Sequence, residues 1–291
     1  MARTDTLPHF LTDVADAIRT KGGTVADIQA SSFDTAIANL PSGDDWTDIG
    51  YTSTPTAVAN GHQYAKTIYD NWNASATNMT EHFRNNINLM FMPNVDTSNV
   101  TNATSMFSLC KSLVEVPLLD LSHVTTAENL FFNCSALQRI PAFNLSSCTN
   151  LAYAFNYDAA LKEAPALITS SATSMSYMFS DCTRLETVAY MDTSKVTSMY
   201  NMFQKCTALE NVPLFNTVKV TSMSGMFYQC PNLTDTSLDN ILQMCINSNI
   251  TTANLMKLSS LGFNSTNYPV SRIQALTHYQ DFIDAGWIIG Y

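Results

Sequence analysis

The residue types that often catalyse reactions are present in this sequence, but not at spacings that assemble a known site. The five histidines are scattered, and no H-E-x-x-H motif, G-x-S-x-G motif or phosphate-cradling glycine loop occurs. They are His9, His62, His82, His123 and His278. We therefore expect no enzyme and no catalytic residue. A glycan hydrolase with carboxylates on the surface of a repeat protein remains an alternative.

Cysteine chemistry would need a thiolate, a disulfide or a bound metal. Five of the seven cysteines share one position of a 24-residue repeat, which we call the cysteine column, with Asn86 and Asp158 at its two other places. The five are Cys110, Cys134, Cys182, Cys206 and Cys230. Because a buried cysteine packs as a small hydrophobe, we favour free thiols over bridges between neighbouring copies. No C-x-x-C pair occurs, so zinc has no support.

A second column carries Asp or Asn. Its members are Asp96, Asp120, Asn144, Asp192 and Asn216. Such side chains accept hydrogen bonds from their own backbone, which predicts a turn at each place. Calcium between stacked aspartates is the alternative, but Asn144 and Ile168 interrupt the carboxylates that a calcium cage needs. We expect neither a metal nor a cofactor.

The charge balance limits the partners. The chain of 291 residues has 14 Lys and Arg against 24 Asp and Glu, a net charge of −10, and this opposes binding to phosphates and so to nucleic acid. No apolar run approaches the roughly 18 residues of a membrane span, so we expect no membrane insertion. The first residues lack the apolar core of a signal peptide, which predicts synthesis in the cytoplasm without export.

A repeat of 24 residues organises the middle of the chain. Phenylalanine returns at this interval in seven copies, as Phe83, Phe107, Phe131, Phe155, Phe179, Phe203 and Phe227. A unit this short cannot bury its own apolar face, so neighbouring copies must stack and share one core. The fold class that follows is α/β, a solenoid of about seven 24-residue coils. We expect each Phe ring to pack on the next.

Each unit divides into two halves. The segment 209–215 follows an L-x-x-V-x-L pattern, which predicts a short strand pairing in parallel with its copies, with a proline column limiting its length. The segment 197–206 begins with a threonine that recurs in every copy and has apolar residues at helical spacing. It predicts a single helical or 3₁₀ turn with the threonine as N-cap.

Helical patterns occupy both ends. Residues 1–43 predict a small helical segment with apolar positions at Leu11, Val14 and Ile18, then at Phe33 and Ile37. Residues 44–71 predict a linker and an N-terminal cap helix. That helix would start at Thr54 before Pro55, and its apolar side would carry Val58, Tyr64, Ile68 and Trp72.

The C-terminal cap is expected over residues 236–291. Thr236 and Asp239 resemble a capping box, followed by Leu238, Ile241, Leu242 and Cys245 at helical spacing. One more helix is expected around Ile273, Leu276, Phe282 and Ile283.

The repeats resemble the BspA-type leucine-rich repeats. The string Val196-Thr197-Ser198-Met199-Tyr200-Asn201-Met202-Phe203, with Cys206 and Leu209, returns one unit later as Val220 to Phe227 with Cys230 and Leu233. Such repeats occur on bacterial surface proteins and in phage proteins of the DUF285 class, and the resemblance covers about residues 72–235. It implies a leucine-rich-repeat solenoid with short parallel strands and helical caps.

The N-terminal segment resembles the short helical segment of tail and baseplate proteins from phages that infect Firmicutes. The resemblance rests on Leu11 to Arg19, Gly22-Gly23-Thr24 and Ser32-Phe33. It implies a virion protein, located in the virion, that is attached to other virion proteins through Leu11, Val14, Ile18, Phe33 and Ile37.

The combined resemblance implies a tail fibre, tail tip or baseplate appendage that adheres to the host cell surface, with a wall glycan or a surface protein as partner. A structural decoration of head or tail without receptor binding is the alternative. A homo-oligomer stays open, because virion fibres are often multimeric although no heptad segment is visible here.

Tyrosines are the candidate ligand-binding residues. Aromatic rings among Ser, Thr and Asn can stack on sugars while the neighbouring groups bind sugar hydroxyls. The candidates are Tyr153, Tyr157, Tyr177, Tyr200 and Tyr228. The alternative for each is that it merely covers the edge of a turn.

Overall fold

A computed structural model describes residues 64–251 and 256–290. Regular elements are few. Residues 64–70 are helical, and the strands Glu163–Ala164 and Thr187–Val188 form one parallel pair. Towards the C-terminus follow the α-helix Asp235–Asn247, the 3₁₀ helix Leu258–Leu261, and the α-helices Val270–Gln274 and Tyr279–Asp284.

Successive 24-residue units pair with one another. One track of parallel bridges runs from Asn78 to Ser222, and each of its steps joins residues 24 positions apart. A second track begins at the Phe91–Glu115 bridge, includes the two short strands and ends at Asn211. The period of the sequence is therefore also the period of the backbone pairing, and the bridged residues face their equivalents in the next unit.

The phenylalanine rings form a continuous interior column, which confirms the expected ring packing. Neighbouring ring centroids lie 5.0 to 5.8 Å apart at interplanar angles of 3 to 16°. The rings from Phe107 to Phe227 are at most 1% exposed. Offset stacking of this kind adds about 0.5–1.5 kcal/mol per pair to the free energy gained by burial.

The turn half of each unit is not helical, so that prediction is wrong. The residues two positions before and after each Phe adopt left-handed backbone, as at Tyr153 (φ 59°) and Tyr157 (φ 65°). The N–H of Phe155 donates to Met178 in the next unit, whereas the N–H of Asn156 donates to Tyr153 in its own. Backbone donors thus alternate between neighbouring units and local turns, which a helix could not do.

The recurring threonines are also not N-caps. The Thr173 hydroxyl donates to the Thr149 carbonyl at 3.0 Å, and the same bond joins each pair of neighbours from Thr77 to Thr221. Threonine is needed because its hydroxyl links one unit to the next. We call this series the threonine ladder.

The strand half is shorter than the L-x-x-V-x-L pattern predicts. Regular strand is confined to two residues in each of two units, and isolated bridges represent it elsewhere. Pro165 follows Ala164 directly. Because proline has no N–H to donate, the ladder of backbone hydrogen bonds stops there.

At the N-terminal end, Tyr64, Ile68 and Trp72 pack against the core, as the sequence predicts. The Trp72 ring stacks on Phe83 with centroids 6.4 Å apart, and its Nε1 donates to the Asp96 carbonyl at 2.6 Å. The expected helix start at Thr54 and the apolar position at Val58 lie outside the described residues.

The C-terminal cap helix begins two residues earlier than expected. Its N-cap is Thr234, not Thr236, and the Thr234 hydroxyl accepts the N–H of Ser237. Asp239, the other expected member of the capping box, instead contacts the His278 ring at 2.8 Å and accepts its backbone N–H. The predicted apolar face is confirmed, since Leu238, Ile241, Leu242 and Cys245 are buried.

The single helix expected after residue 270 is two helices. Val270–Gln274 and Tyr279–Asp284 are separated by residues 275–278. Ile273, in the first helix, and Phe282, in the second, are both buried. Two short helices let both apolar residues reach the same core, which one straight helix would not allow at this spacing.

Candidate functional site

Three of the candidate tyrosines meet on the outside of the turn half. Tyr153 and Tyr177 occupy equivalent places in neighbouring units, and their rings stack with centroids 4.6 Å apart at 10°. Tyr200, one position earlier in the next unit, meets Tyr177 edge to face at 5.3 Å and 71°. We call Tyr153, Tyr177 and Tyr200 the tyrosine cluster.

The tyrosine cluster offers one open ring. The facing surfaces of Tyr153 and Tyr177 cover each other, whereas the Tyr200 side chain is 39% exposed. The pKa of Tyr177 is raised above its usual value, mainly by burial. A hydrogen bond with Asn201 opposes this effect, and a hydrogen bond with Tyr200 adds to it. The Tyr177 phenol therefore remains a neutral hydrogen-bonding group at physiological pH.

Serine hydroxyls lie close to the backbone of the cluster, where the Ser198 hydroxyl accepts the N–H of Tyr200 at 3.4 Å. The Ser176 and Ser198 hydroxyls are 2.8 Å apart, and Ser174 donates to Ser176 at 3.4 Å. Ser176 precedes Tyr177, and Ser198 lies two residues before Tyr200. An aromatic face with neutral hydroxyls beside it can stack on a pyranose ring and exchange hydrogen bonds with its hydroxyl groups.

A glycine makes room for Asn201 beside the cluster. Gly225 is the equivalent of Asn201 one unit later, and a Cβ there would lie 1.9 Å from the Asn201 Oδ1. Its φ of +66° also lies in the left-handed region, where glycine meets no Cβ penalty. Gly225 thus lets the Asn201 side chain keep its nearly buried place next to Tyr177.

The other two candidates belong to a different set. Tyr157 and Tyr228 are 44% and 45% exposed, and both raise the pKa of Lys205, although the larger effect comes from its hydrogen bond with Asp181. Lys205 Nζ and Asp181 Oδ1 are 3.2 Å apart. Among the residues described here, no ring contact joins this set to the tyrosine cluster, so the five tyrosines do not form one site.

Sequence reasoning missed an exposed apolar column. The place that follows the proline column is apolar and exposed in five successive units, although the residue before Tyr190 is Ala189 instead of proline; Leu118, Tyr190 and Leu214 are its large members. The full column is Leu118, Ala142, Ala166, Tyr190 and Leu214. The 24-residue register would have revealed it, since it lies one place after the proline column. A continuous apolar strip is unusual on a surface made mainly of Ser, Thr and Asn.

The cysteines are free and buried, which confirms the favoured prediction. Burial raises the pKa of the Cys110 thiol to about 11 and that of Cys230 to about 12. They are thus protonated at neutral pH and are poor nucleophiles. Within residues 64–251 and 256–290, no group of three or more His, Cys, Asp or Glu side chains is placed to hold a metal.

The Asp and Asn column forms the predicted turns. Asp96, Asp120 and Asp192 each accept the backbone N–H of the residue two positions later, at 2.9 to 3.0 Å. Asn144 and Asn216 do the same at 3.1 Å. The carboxylates are therefore used in local turns.

The predicted attachment residues cannot be placed. Leu11, Val14, Ile18, Phe33 and Ile37 lie outside the described residues. Of the residues that are described, none belongs to a helix both long and apolar enough to span a bilayer.

The repeat geometry has a counterpart among known families. The family described as "Mycoplasma protein of unknown function, DUF285" matches residues 53–167 and 166–266, which together make up most of the chain. The chain belongs to the DUF285 family. For this DUF285 protein, the search of curated proteins and the search of solved structures found no match. Membership supports the BspA-like repeat family, while the activity of that family is not described.

Proposed function

We propose that this DUF285 protein is a leucine-rich-repeat solenoid that serves as a phage virion protein and adheres to the host cell surface through the tyrosine cluster. It would form a tail fibre, tail tip or baseplate appendage. Residues 1–43 would attach it to other virion proteins. The observation that carries the binding part is the exposed Tyr200 ring, which meets Tyr177 edge to face and whose backbone N–H donates to the Ser198 hydroxyl.

A wall glycan suits this surface better than a charged ligand. The cluster combines tyrosine rings, a neutral amide at Asn201 and serine hydroxyls, while the chain carries a net charge of −10. Sugar hydroxyls donate and accept hydrogen bonds without needing a countercharge, and their C–H faces pack on aromatic rings. A surface protein remains the other possible partner.

The exposed apolar column favours a second candidate, a structural decoration of head or tail. A strip formed by Leu118, Tyr190 and Leu214 suits contact with another protein more than contact with a sugar. In that case the tyrosine cluster would contribute nothing to cell binding.

The test compares binding of the full-length protein and its variants to intact Firmicutes cells. Y200A and Y177A should each weaken binding at least about 10-fold, because a stacked aromatic anchor supplies more than 1 kcal/mol. Y190A is the matched control, since Tyr190 is exposed but lies in the apolar column. Periodate treatment of the cells should abolish binding if the partner is a glycan, and protease treatment should do so if it is a protein.

Two results would overturn the adhesion proposal. If the wild-type protein joins virions but does not bind intact Firmicutes cells, structural decoration is favoured. If cells bind the protein but Y190A lowers binding while Y200A and Y177A do not, adhesion uses the apolar column.

A further inference from the structure

Thiols of the cysteine column make one repeated hydrogen bond. Each Sγ donates to a phenylalanine carbonyl 27 residues earlier in the chain, at 2.9 to 3.0 Å. Cys134 donates to Phe107, for example, and Cys182 to Phe155. Phe131 lies between Phe107 and Phe155 in the phenylalanine column. The residue 27 positions after Phe131, where the neighbouring units have a cysteine, is Asp158.

Asp158 has no partner that explains it as an ion. The side chain is completely buried, and its Oδ1 accepts the backbone N–H of Cys134 at 2.8 Å. In the part of the chain that the structure describes, Oδ2 is the one buried side-chain oxygen or nitrogen without a hydrogen-bond partner. An ionised carboxylate only accepts hydrogen bonds, whereas a protonated one carries a hydroxyl donor.

The titratable groups that face Asp158 are thiols. Cys134 lies in the preceding unit and Cys182 in the following one, and burial raises the pKa of both well above its usual value. Asp181, which is paired with Lys205, also raises the pKa of Cys182. Among the described residues, Asp158 forms no ion pair with a cation. The Cys134 N–H alone therefore does not compensate a buried negative charge.

We propose that Asp158 is a neutral carboxylic acid in the folded protein, donating its proton to the Phe131 carbonyl in place of the column thiol. The middle of the stack then contains a pH-sensitive element. Ionisation of this group would leave the Phe131 carbonyl with the Cys134 N–H as its donor but without a side-chain donor. It would also place a charge among the core residues, loosening the contact between neighbouring units.

The direction of the pH effect follows from proton linkage. In the unfolded chain Asp158 ionises near its ordinary pKa of about 4. In the folded protein burial raises the pKa of Asp158 well above that, against a smaller opposing effect of the Cys134 N–H. Below about pH 4 both states hold the proton. As the pH rises further, the unfolded state releases its proton first, so the free energy of unfolding falls with increasing pH.

The experiment measures the thermal midpoint of the full chain from about pH 4 to pH 8 for wild type and D158N. Asparagine can accept from Cys134 and donate to Phe131 without titrating. The difference in thermal midpoint between D158N and wild type should shift in favour of D158N by roughly 5 °C between pH 4 and pH 7. E163Q removes an exposed carboxylate from a neighbouring strand and should show no such trend.

A second measurement reads the proton directly. Wild type at pH 7 should show an infrared carbonyl band of a protonated carboxylic acid, and D158N should lack it. D158C restores the thiol of the column and should follow D158N in its pH dependence. The proposal is overturned if the acid band is absent from folded wild type, or if the midpoints of wild type and D158N run parallel over the whole range.

Discussion

The inner and outer columns of the same repeat differ in what they tolerate. The inner column holds Phe at all seven places, and each ring is in contact with its equivalent in the next unit. The column of Tyr153 and Tyr177, two residues earlier, also contains Glu, Ser, Asn and Gly. A ring inside the stack is packed from both sides, whereas a side chain outside it can change without moving the backbone. Differences between units that could support recognition are therefore found on the outside.

The largest effect that would test this contrast is expected for F155A. Phe155 is fully buried between Phe131 and Phe179, so its removal leaves a cavity in the middle of the column. We expect a loss of about 3–5 kcal/mol in the free energy of unfolding, measured by urea denaturation. Y153A, from the same unit but half-exposed, is the control. Similar losses for both variants would contradict the separation of inner and outer columns.

A smaller loss of stability is expected for a substitution at Gly225, which lies in the outer column next to Asn201. G225A places a Cβ 1.9 Å from the Asn201 Oδ1 on left-handed backbone, and should cost more than about 1 kcal/mol. In an N201A background the obstructing amide is gone, so G225A should cost less there. Equal costs in both backgrounds would show that backbone strain alone makes glycine necessary.

The smallest effect concerns a turn on the outside. The backbone and side-chain hydrogen bonds from Ser194 lower the pKa of Asp192. This contribution to stability is complete above the ordinary pKa of about 4 and is lost as the pH falls through the lowered one. Thermal scans should show D192A less stable than wild type by about 1–2 °C at pH 7, with the difference shrinking towards pH 2.

The matched control for D192A is N216A, which removes a neutral member of the same column. Asn216 accepts an equivalent backbone N–H but carries no charge to titrate. The effect of N216A should not vary with pH. If D192A and N216A show the same pH profile, the charge of Asp192 does not contribute.

Features fixed by the repeat register could be predicted from the sequence. The Phe contacts and the Asp192-type turns follow from residues that recur at one interval, because equivalent residues must meet when units stack. The role of Thr173 could not be predicted, since a threonine before apolar residues looks the same whether its hydroxyl caps a helix or bonds to the next unit. Local helix signals likewise placed the C-terminal N-cap at Thr236 and not at Thr234.

The candidate site was predicted in part. Equal spacing placed Tyr153 beside Tyr177 and suggested Tyr200 as their neighbour, and these three do meet. The separation of Tyr157 and Tyr228 depends on left-handed backbone on both sides of the Phe, which the residue types do not reveal. The dependence of Asn201 on Gly225 emerges only when neighbouring units are seen together.

The backbone pairing of the strand half does not stop at the last repeat. Thr234, at the start of the cap helix, donates its N–H and its hydroxyl to the Glu210 carbonyl 24 residues earlier, just as Glu210 donates its own N–H to Glu186. The start of the cap helix therefore bonds to the last unit as the next repeat unit would. A chain that gained or lost one whole unit would present unchanged ends to both caps. The length of the molecule could thus vary in steps of about 4.8 Å without a new cap, in evolution or by engineering.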